Sequence, residues 1–143
     1  MNEKLFYILS VVWGFPMTLI GACAALVLKI QGRKAQKHGW CYYYECGRNW
    51  GGVNFGLVFL TSDNPSEHTK NHEHGHALQN CIWGPLMPFV IAIPSAIRYW
   101  TRVFQQKQGK ELEPYDAIWF EGQATKWGDA FMKQLKENSD GDD

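Results

Sequence analysis

The chain has 143 residues, which is enough for one hydrophobic core but not for two, so we expect a single domain. Its formal net charge is zero, with 14 basic and 14 acidic residues, so no overall field attracts nucleic acid and we expect no nucleic-acid partner. The aromatic content of 15% includes seven tryptophans, which favours a large apolar surface or a membrane interface.

Residues 5–28 form the first apolar segment and contain no charged side chain. A helix of about 20 apolar residues spans a bilayer core, and Pro16 would kink this one near its middle. Four basic residues follow between positions 29 and 37, against only Lys4 before the segment. We predict a membrane anchor over residues 1–30, with a buried core helix as the alternative. The positive-inside rule then places the rest of the chain, and any active site, in the cytoplasm.

The next segment is rich in aromatic and β-branched residues on either side of a glycine-rich turn. This pattern predicts a β-hairpin with strands near 40–46 and 52–61. A helix should then run from about Pro65 to Ile82, where Gly84-Pro85 ends it. We expect Asn64 as its N-cap, Pro65 at its first position and Glu67 as a capping-box carboxylate.

A second apolar segment covers residues 81–100 and is interrupted by Pro85, Pro88 and Pro94. These prolines favour a re-entrant or membrane-packed hairpin over a straight span, with its turn near Pro94. A polar connector follows, and residues 115–137 have the apolar spacing of a last amphipathic helix. The expected fold is therefore α+β, with a metal-binding domain over residues 31–143 whose segment 81–104 packs on or enters the membrane.

The sequence "HEHGH" places His72, Glu73 and His76 in the pattern His-Glu-x-x-His. On a helix, residues four apart lie on one face, so the two imidazoles can bind one zinc ion, and Glu73 beside them can act as general base and acid on a water that the metal activates. His74 points about 200° away from His72, so we expect it to make ordinary solvent or core contacts. His68 lies on the ligand stripe, where it could line the cleft or bind weakly, but an ordinary surface position near the cap is favoured.

The later sequence "WFEGQAT" contains Glu121, followed by Ala124. His-Glu-x-x-His followed by Glu-x-x-Ala on a later helix resembles the gluzincin metallopeptidases, particularly the minimal membrane-associated ones. The proline-interrupted anchor and "GPLMPFVIAIPSAI" also resemble small bacterial membrane proteins. The resemblance implies a zincin-like fold, an inner-membrane location and a Zn²⁺ ion bound by His72, His76 and Glu121. It also implies that the free edge of the strand "GGVNFGLVFL" pairs with a peptide or protein substrate.

One position departs from this pattern, since Thr125 stands where the family has an aspartate. A threonine hydroxyl can accept a hydrogen bond from a ligating histidine but adds no negative charge, so metal binding is better supported than activity. A donor for the transition-state oxyanion is not obvious in the sequence, and Tyr115 is one candidate.

Zinc ligands lie about 2 Å from their ion, so His72 and Glu121 must lie on one side of the membrane. If residues 5–28 and 81–100 both crossed the bilayer completely, its hydrocarbon core of about 30 Å would separate His72 from Glu121. We therefore expect a site at the membrane surface. The leading hypothesis is a membrane-anchored zinc metallopeptidase. The alternatives are a catalytically silent metal-binding protein for interaction or sensing, and a metal-handling protein that also uses His68.

Overall fold

The computed structural model describes residues 1–141, which form the expected α+β fold with five helices and one four-stranded mixed sheet. The helices are α1 (Glu3–Ile8), α2 (Phe15–Ile30), α3 (Glu67–Trp83), α4 (Ile93–Lys107) and α5 (Trp119–Asp140). The strands are β1 (Gln36–His38), β2 (Cys41–Glu45), β3 (Gly52–Phe55) and β4 (Val58–Thr61). Short π-helical segments precede α2 and α4, at Leu9–Trp13 and Pro88–Ala92.

The sheet has the order β1-β2-β4-β3, and the predicted pairing of its strands is wrong. The region 52–61 is itself an antiparallel hairpin of β3 and β4, because Gly56 has a φ of 70°, which suits a tight turn. Its second strand, β4, pairs with β2 in parallel, and β1 and β2 form another hairpin. Strand β3 is therefore an edge strand, with a neighbouring strand on one side only.

Helix α3 begins two residues later than predicted and has a different cap. Ser66 is the N-cap, and its hydroxyl accepts a hydrogen bond of 3.1 Å from the backbone N–H of Thr69. Asn64 has a φ of 54°, whereas an N-cap needs an extended backbone, and Glu67 pairs with Lys70. The helix ends at Gly84, as predicted, where a φ of 52° terminates the helical backbone.

The second apolar segment does not turn near Pro94. Pro94 lies in the first turn of α4, where proline is well tolerated. The chain instead bends at Met87, between Leu86 and Pro88, and the helical segments on either side differ in direction by 116°. Helices α3 and α4 thus form the two arms of a bent pair, and the space between them contains the site described below.

The first apolar segment is also broken, because the helical directions change by 94° at Gly14. This bend lies two residues before Pro16, which is in the first turn of α2. Within residues 1–141, no single helix is long and apolar enough to span a membrane. Each of the two bent pairs has the required length and apolar character only when its two helices are taken together.

The main core lies between α1, the sheet and α3. Phe6 is fully buried there with Phe59, and its ring stacks on His74 at 5.9 Å between centroids. His74 stacks on Phe131 on its other side, and its Nε2 accepts a hydrogen bond from the backbone N–H of Trp40. Burial lowers the pKa of His74 to about 3, so the ring is neutral. His74 is therefore a core residue, and the N-terminal helix contributes to the same core.

Two glycines allow α3 and α5 to cross at close range. A Cβ atom on Gly75 would lie 1.9 Å from the carbonyl oxygen of Ala124, and one on Gly128 would lie 1.8 Å from that of Asn71. Since each contact is with backbone, neither can be relieved by moving a side chain. The crossing matters for function, because α3 carries the His-Glu-x-x-His sequence and α5 carries Glu121.

We expect Gly75→Ala to lower the free energy of unfolding by about 1–3 kcal/mol, because the added methyl group forces the two helices apart. Urea denaturation followed by circular dichroism measures the change. Gly51→Ala is the matched control, since nothing lies within 4 Å of its added Cβ. Equal stability of the two variants would show that the helix crossing is not tightly packed.

Candidate metal centre

The structure brings His72, His76 and Glu121 together at the crossing of α3 and α5. The Nε2 atoms of His72 and His76 lie 3.0 and 3.1 Å from Oε2 of Glu121. All three ligand atoms lie within 4.8 Å of one another, and all three residues are buried. Among residues 1–141 this is the one group of three or more histidine, cysteine or acidic side chains with such spacing.

This donor set fits zinc. Two imidazole nitrogens and one carboxylate oxygen are the three protein ligands typical of a catalytic zinc site, which leaves a fourth position open. With bonds of about 2 Å, the ligand atoms of a tetrahedral site are roughly 3.3 Å apart, close to the separations found here. None of the four cysteines belongs to this group, and all four are free thiols.

Each histidine is held through its other ring nitrogen. His72 Nδ1 lies 2.9 Å from the Thr125 hydroxyl, and His76 Nδ1 lies 2.7 Å from Oε1 of Gln79. The Gln79 amide nitrogen in turn donates to the backbone carbonyl of Phe120 on α5. The amide oxygen of Gln79 only accepts, so Nδ1 of His76 donates, and the Thr125 hydroxyl is able to accept from Nδ1 of His72. With Nδ1 as the donor, Nε2 of each ring is the atom that can bind a metal. The hydroxyl group of Thr125 thus contacts His72 from α5, where the resemblance led us to expect an aspartate.

The second oxygen of Glu121 is also fixed, because Oε1 accepts a hydrogen bond from the Ser95 hydroxyl on α4. Only Oε2 therefore faces the histidines, which favours a single carboxylate–metal bond. Ser95 and Gln79 were not identified from the sequence. Gln79 is three residues beyond His76, and an amide there on the ligand face is a signal that sequence reasoning could use; Ser95 offers none.

The electrostatics of the cluster favour a cation. Burial alone would raise the pKa of Glu121, but hydrogen bonds with His72 and His76 outweigh it and hold that pKa well below its usual range. Burial would likewise lower the pKa of His76, yet its hydrogen bond with Glu121 raises it above the ordinary value. A metal must displace that proton from His76, so metal binding weakens as the pH falls.

Glu73 lies beside the cluster and is 4% exposed. Burial raises the pKa of its carboxyl group, and its Oε2 has no hydrogen-bond partner among residues 1–141. It packs against the edge strand so closely that a Cβ on Gly52 would lie 2.5 Å from Oε1. A buried carboxyl group with an unpaired oxygen is costly in a purely structural role, and it is suited to exchanging protons with a bound molecule.

Tyr115 also lies near His72, with 6.1 Å between the ring centroids. Burial raises the pKa of its phenol to about 12, so the hydroxyl group keeps its proton and can donate a hydrogen bond. Arg98 donates to the backbone carbonyl of Tyr115, and Arg102 lies over its ring at 5.3 Å from the centroid. The two arginines of α4 therefore fix the segment that carries this candidate donor.

His72, Glu73 and His76 line a cleft of about 680 Å³. The edge strand β3 and helix α3 line one side of it, helix α4 lines the other, and Tyr115 and Thr125 close it. His68 also lines the cleft, with its ring 6.4 Å from that of His72, but it is not part of the ligand cluster. The arrangement can hold an extended chain between β3 and α4, next to a metal ion.

Comparison with protein families, with curated proteins and with solved structures finds no match to this chain.

We expect Thr125→Val to lower zinc affinity about 10- to 100-fold, because His72 loses the hydrogen bond that orients its ring. The shape of the side chain is nearly unchanged, so the fold should be kept. Competition with a chromophoric chelator measures the affinity. Thr125→Ser is the matched control and should bind zinc like the parent protein; equal affinities for Val and Ser would remove Thr125 from the site.

Proposed function

We propose that this protein is a membrane-anchored, zinc-dependent metallopeptidase of the gluzincin type. The observation that carries the proposal is the convergence of His72, His76 and Glu121 beside the buried, unpaired carboxyl group of Glu73. Metal binding alone needs the first three residues only, whereas hydrolysis also needs a proton-transferring group beside the metal.

A zinc ion held by the three residues would polarise the scissile carbonyl and lower the pKa of water at the site. Glu73 would take the proton from the attacking water and pass it to the leaving amine, a role that suits a carboxyl group whose pKa is raised by burial. Tyr115 would donate a hydrogen bond to the oxygen on which negative charge develops. The free edge of β3 would hold the substrate backbone as an added strand.

The exposed apolar side chains support the membrane part of the proposal. Among residues 1–141, 22 large hydrophobic side chains are exposed, and all but four come from residues 5–30 and 82–104. A water-soluble monomer rarely exposes so much apolar surface in contiguous segments. Lipid would cover these side chains, and the basic residues that follow α2 favour the cytoplasmic side of a bacterial inner membrane.

The second candidate function is a catalytically silent protein that binds zinc for interaction or sensing. Thr125 favours this alternative, because a hydroxyl group beside His72 supplies no negative charge to strengthen the ligand. The two candidates differ at Glu73, which only the enzyme requires.

We expect Glu73→Gln to abolish chelator-sensitive cleavage of a mixed peptide library, by about 10²–10⁴-fold, because the amide cannot accept the proton. Zinc content, measured by atomic absorption, should stay at one ion per chain, since Glu73 is not a ligand. Glu121→Ala is the companion variant and should lose both zinc and cleavage. Cleavage that persists in Glu73→Gln contradicts the proposed mechanism, and cleavage absent from the zinc-loaded parent supports the silent alternative.

We expect Val12→Asp combined with Phe89→Asp to release the protein from vesicles of phosphatidylethanolamine and phosphatidylglycerol. These side chains are about 70% exposed, at 71% and 69%, and a carboxylate in the apolar region costs about 2.5–3.5 kcal/mol for each substitution. Flotation on a density gradient measures the bound fraction. Tyr42→Asp is the control, because Tyr42 is exposed outside both segments. Equal flotation of all variants would argue against lipid contact at these segments.

A further inference from the structure

Asn54 lies on the edge strand β3, where its residue type is not what a strand favours. Strands are rich in β-branched and aromatic residues, and asparagine is depleted in them because its amide competes for backbone hydrogen bonds. Asn54 is nevertheless only 6% exposed, so its amide needs partners inside the fold. The partners of this amide therefore indicate the role of the residue.

The side-chain amide of Asn54 joins the β3–β4 turn to helix α3. Its Nδ2 donates hydrogen bonds to the backbone carbonyl of Glu73, at 3.0 Å, and to that of Gly56, at 3.1 Å. Its Oδ1 accepts a hydrogen bond of 2.8 Å from the backbone N–H of Gly56. A reversed amide would place acceptor against acceptor and donor against donor, so the orientation is defined. Asn54 thus connects the hairpin to the residue that carries the candidate proton-transferring group.

Gly52 contacts the same residue from the same face of the strand. Residues two apart on a strand share a face, so Gly52 and Asn54 both face α3. A Cβ atom on Gly52 would lie 2.5 Å from Oε1 of Glu73 and 2.9 Å from its Cδ. The strand backbone therefore lies directly against the carboxyl group, and the hydrogen bond from Asn54 holds it there.

The backbone groups of Gly52 and Asn54 point away from β4. The N–H of Ser62 donates to the carbonyl oxygen of Gly51, so these two residues form a hydrogen-bonded pair. Bonded and non-bonded pairs alternate along an antiparallel ladder, which places Gly52 and Asn54 at non-bonded positions. A strand added on the outer side of β3 would therefore pair with the two residues that also contact Glu73.

Building on the proposed peptidase activity, we propose that Asn54 is a positioning residue that sets the distance between the substrate-binding strand and the carboxyl group of Glu73. The substrate backbone would pair with β3, whereas the proton-transferring group belongs to α3, and the amide of Asn54 fixes one against the other. Without this link the strand would still bind peptide, but the scissile bond would no longer be aligned with Glu73. Since a misplacement of about 1 Å can cost about 100-fold in rate, the loss should appear in kcat and not in KM.

The test uses the zinc-loaded full chain and the peptide of the mixed library that the parent protein cleaves fastest. Asn54→Leu keeps the approximate shape of the side chain but removes all three hydrogen bonds. We expect kcat to fall about 10- to 100-fold while KM changes less than about threefold. Zinc content should equal that of the parent, because the hydrogen bonds of Asn54 go to Glu73 and Gly56 and not to the zinc ligands.

Asn80→Leu is the matched control. Asn80 is a buried asparagine of α3 whose Nδ2 also donates to a backbone carbonyl, that of Gly14. It lies outside the cleft lining, so its variant should lose stability as Asn54→Leu does but keep the kcat of the parent. Urea denaturation compares the stability of the two variants, and kcat then distinguishes positioning from a general loss of stability.

Gly52→Ala tests the same distance without removing a hydrogen bond. The added methyl group would separate the strand from the carboxyl group of Glu73, so we expect the same selective loss of kcat with zinc retained. Gly14→Ala is its control, since a Cβ there would lie 2.3 Å from Nδ2 of Asn80, a comparable contact outside the cleft. If Asn54→Leu does not fold and therefore lacks zinc, the two glycine variants supply the measurement.

The outcomes separate the positioning role from the peptidase activity. A parent-like kcat in zinc-loaded Asn54→Leu or Gly52→Ala, or an equal loss of kcat in the controls, overturns the positioning role while the peptidase activity stands. A higher KM with unchanged kcat overturns it as well, because Asn54 would then act in binding alone. No chelator-sensitive cleavage by the zinc-loaded parent overturns the peptidase proposal itself, and the positioning role with it.

Discussion

The close crossing of α3 and α5 is the constraint on which the rest of the site depends. Because Gly75 and Gly128 lack side chains, backbone contacts backbone there, and Glu121 reaches the imidazoles of His72 and His76. Thr125 and Gln79 then join each histidine to α5 by a hydrogen bond, directly or through a backbone carbonyl. Adding a single methyl group at the crossing would push the helices apart and disturb all of these contacts together. The packing of the two helices therefore determines the geometry of the ligands.

Helix α4 gives the site its second wall and links it to the apolar segments. Ser95 on this helix binds the free oxygen of Glu121, and Arg98 and Arg102 hold the segment that carries Tyr115. Movement of α4 against α3 would therefore affect the third ligand and the candidate oxyanion donor at the same time. The exposed apolar residues lie largely on the segments around α2 and α4. Contact of these segments with lipid would therefore change the position of α4 and with it the geometry of the cleft.

Local patterns were sufficient to predict helix α3, with His72 and His76 on one face, but not the extra strand β1, the division of residues 52–61 into two strands or the way the strands pair. The spacing of His72 and His76 defines a helix face by itself, and Gly84 ends that helix through its own backbone preference. The parallel pairing of β2 with β4, in contrast, depends on long-range packing, and so does the bend at Met87 in place of Pro94. Asn64 failed as a cap because the turn before α3 needs it in a left-handed conformation, which asparagine tolerates. Ser95 has no local signal, since only the tertiary structure brings α4 to Glu121.

The most direct test of the central claim is zinc binding by the parent chain and by its Glu121→Ala and Glu73→Gln variants, measured on the same preparation with peptide cleavage. The account predicts one zinc ion per chain in the parent and in Glu73→Gln, little zinc in Glu121→Ala, and cleavage in the parent alone. Full zinc binding by Glu121→Ala would contradict it, because α5 would then supply no ligand to the histidines of α3.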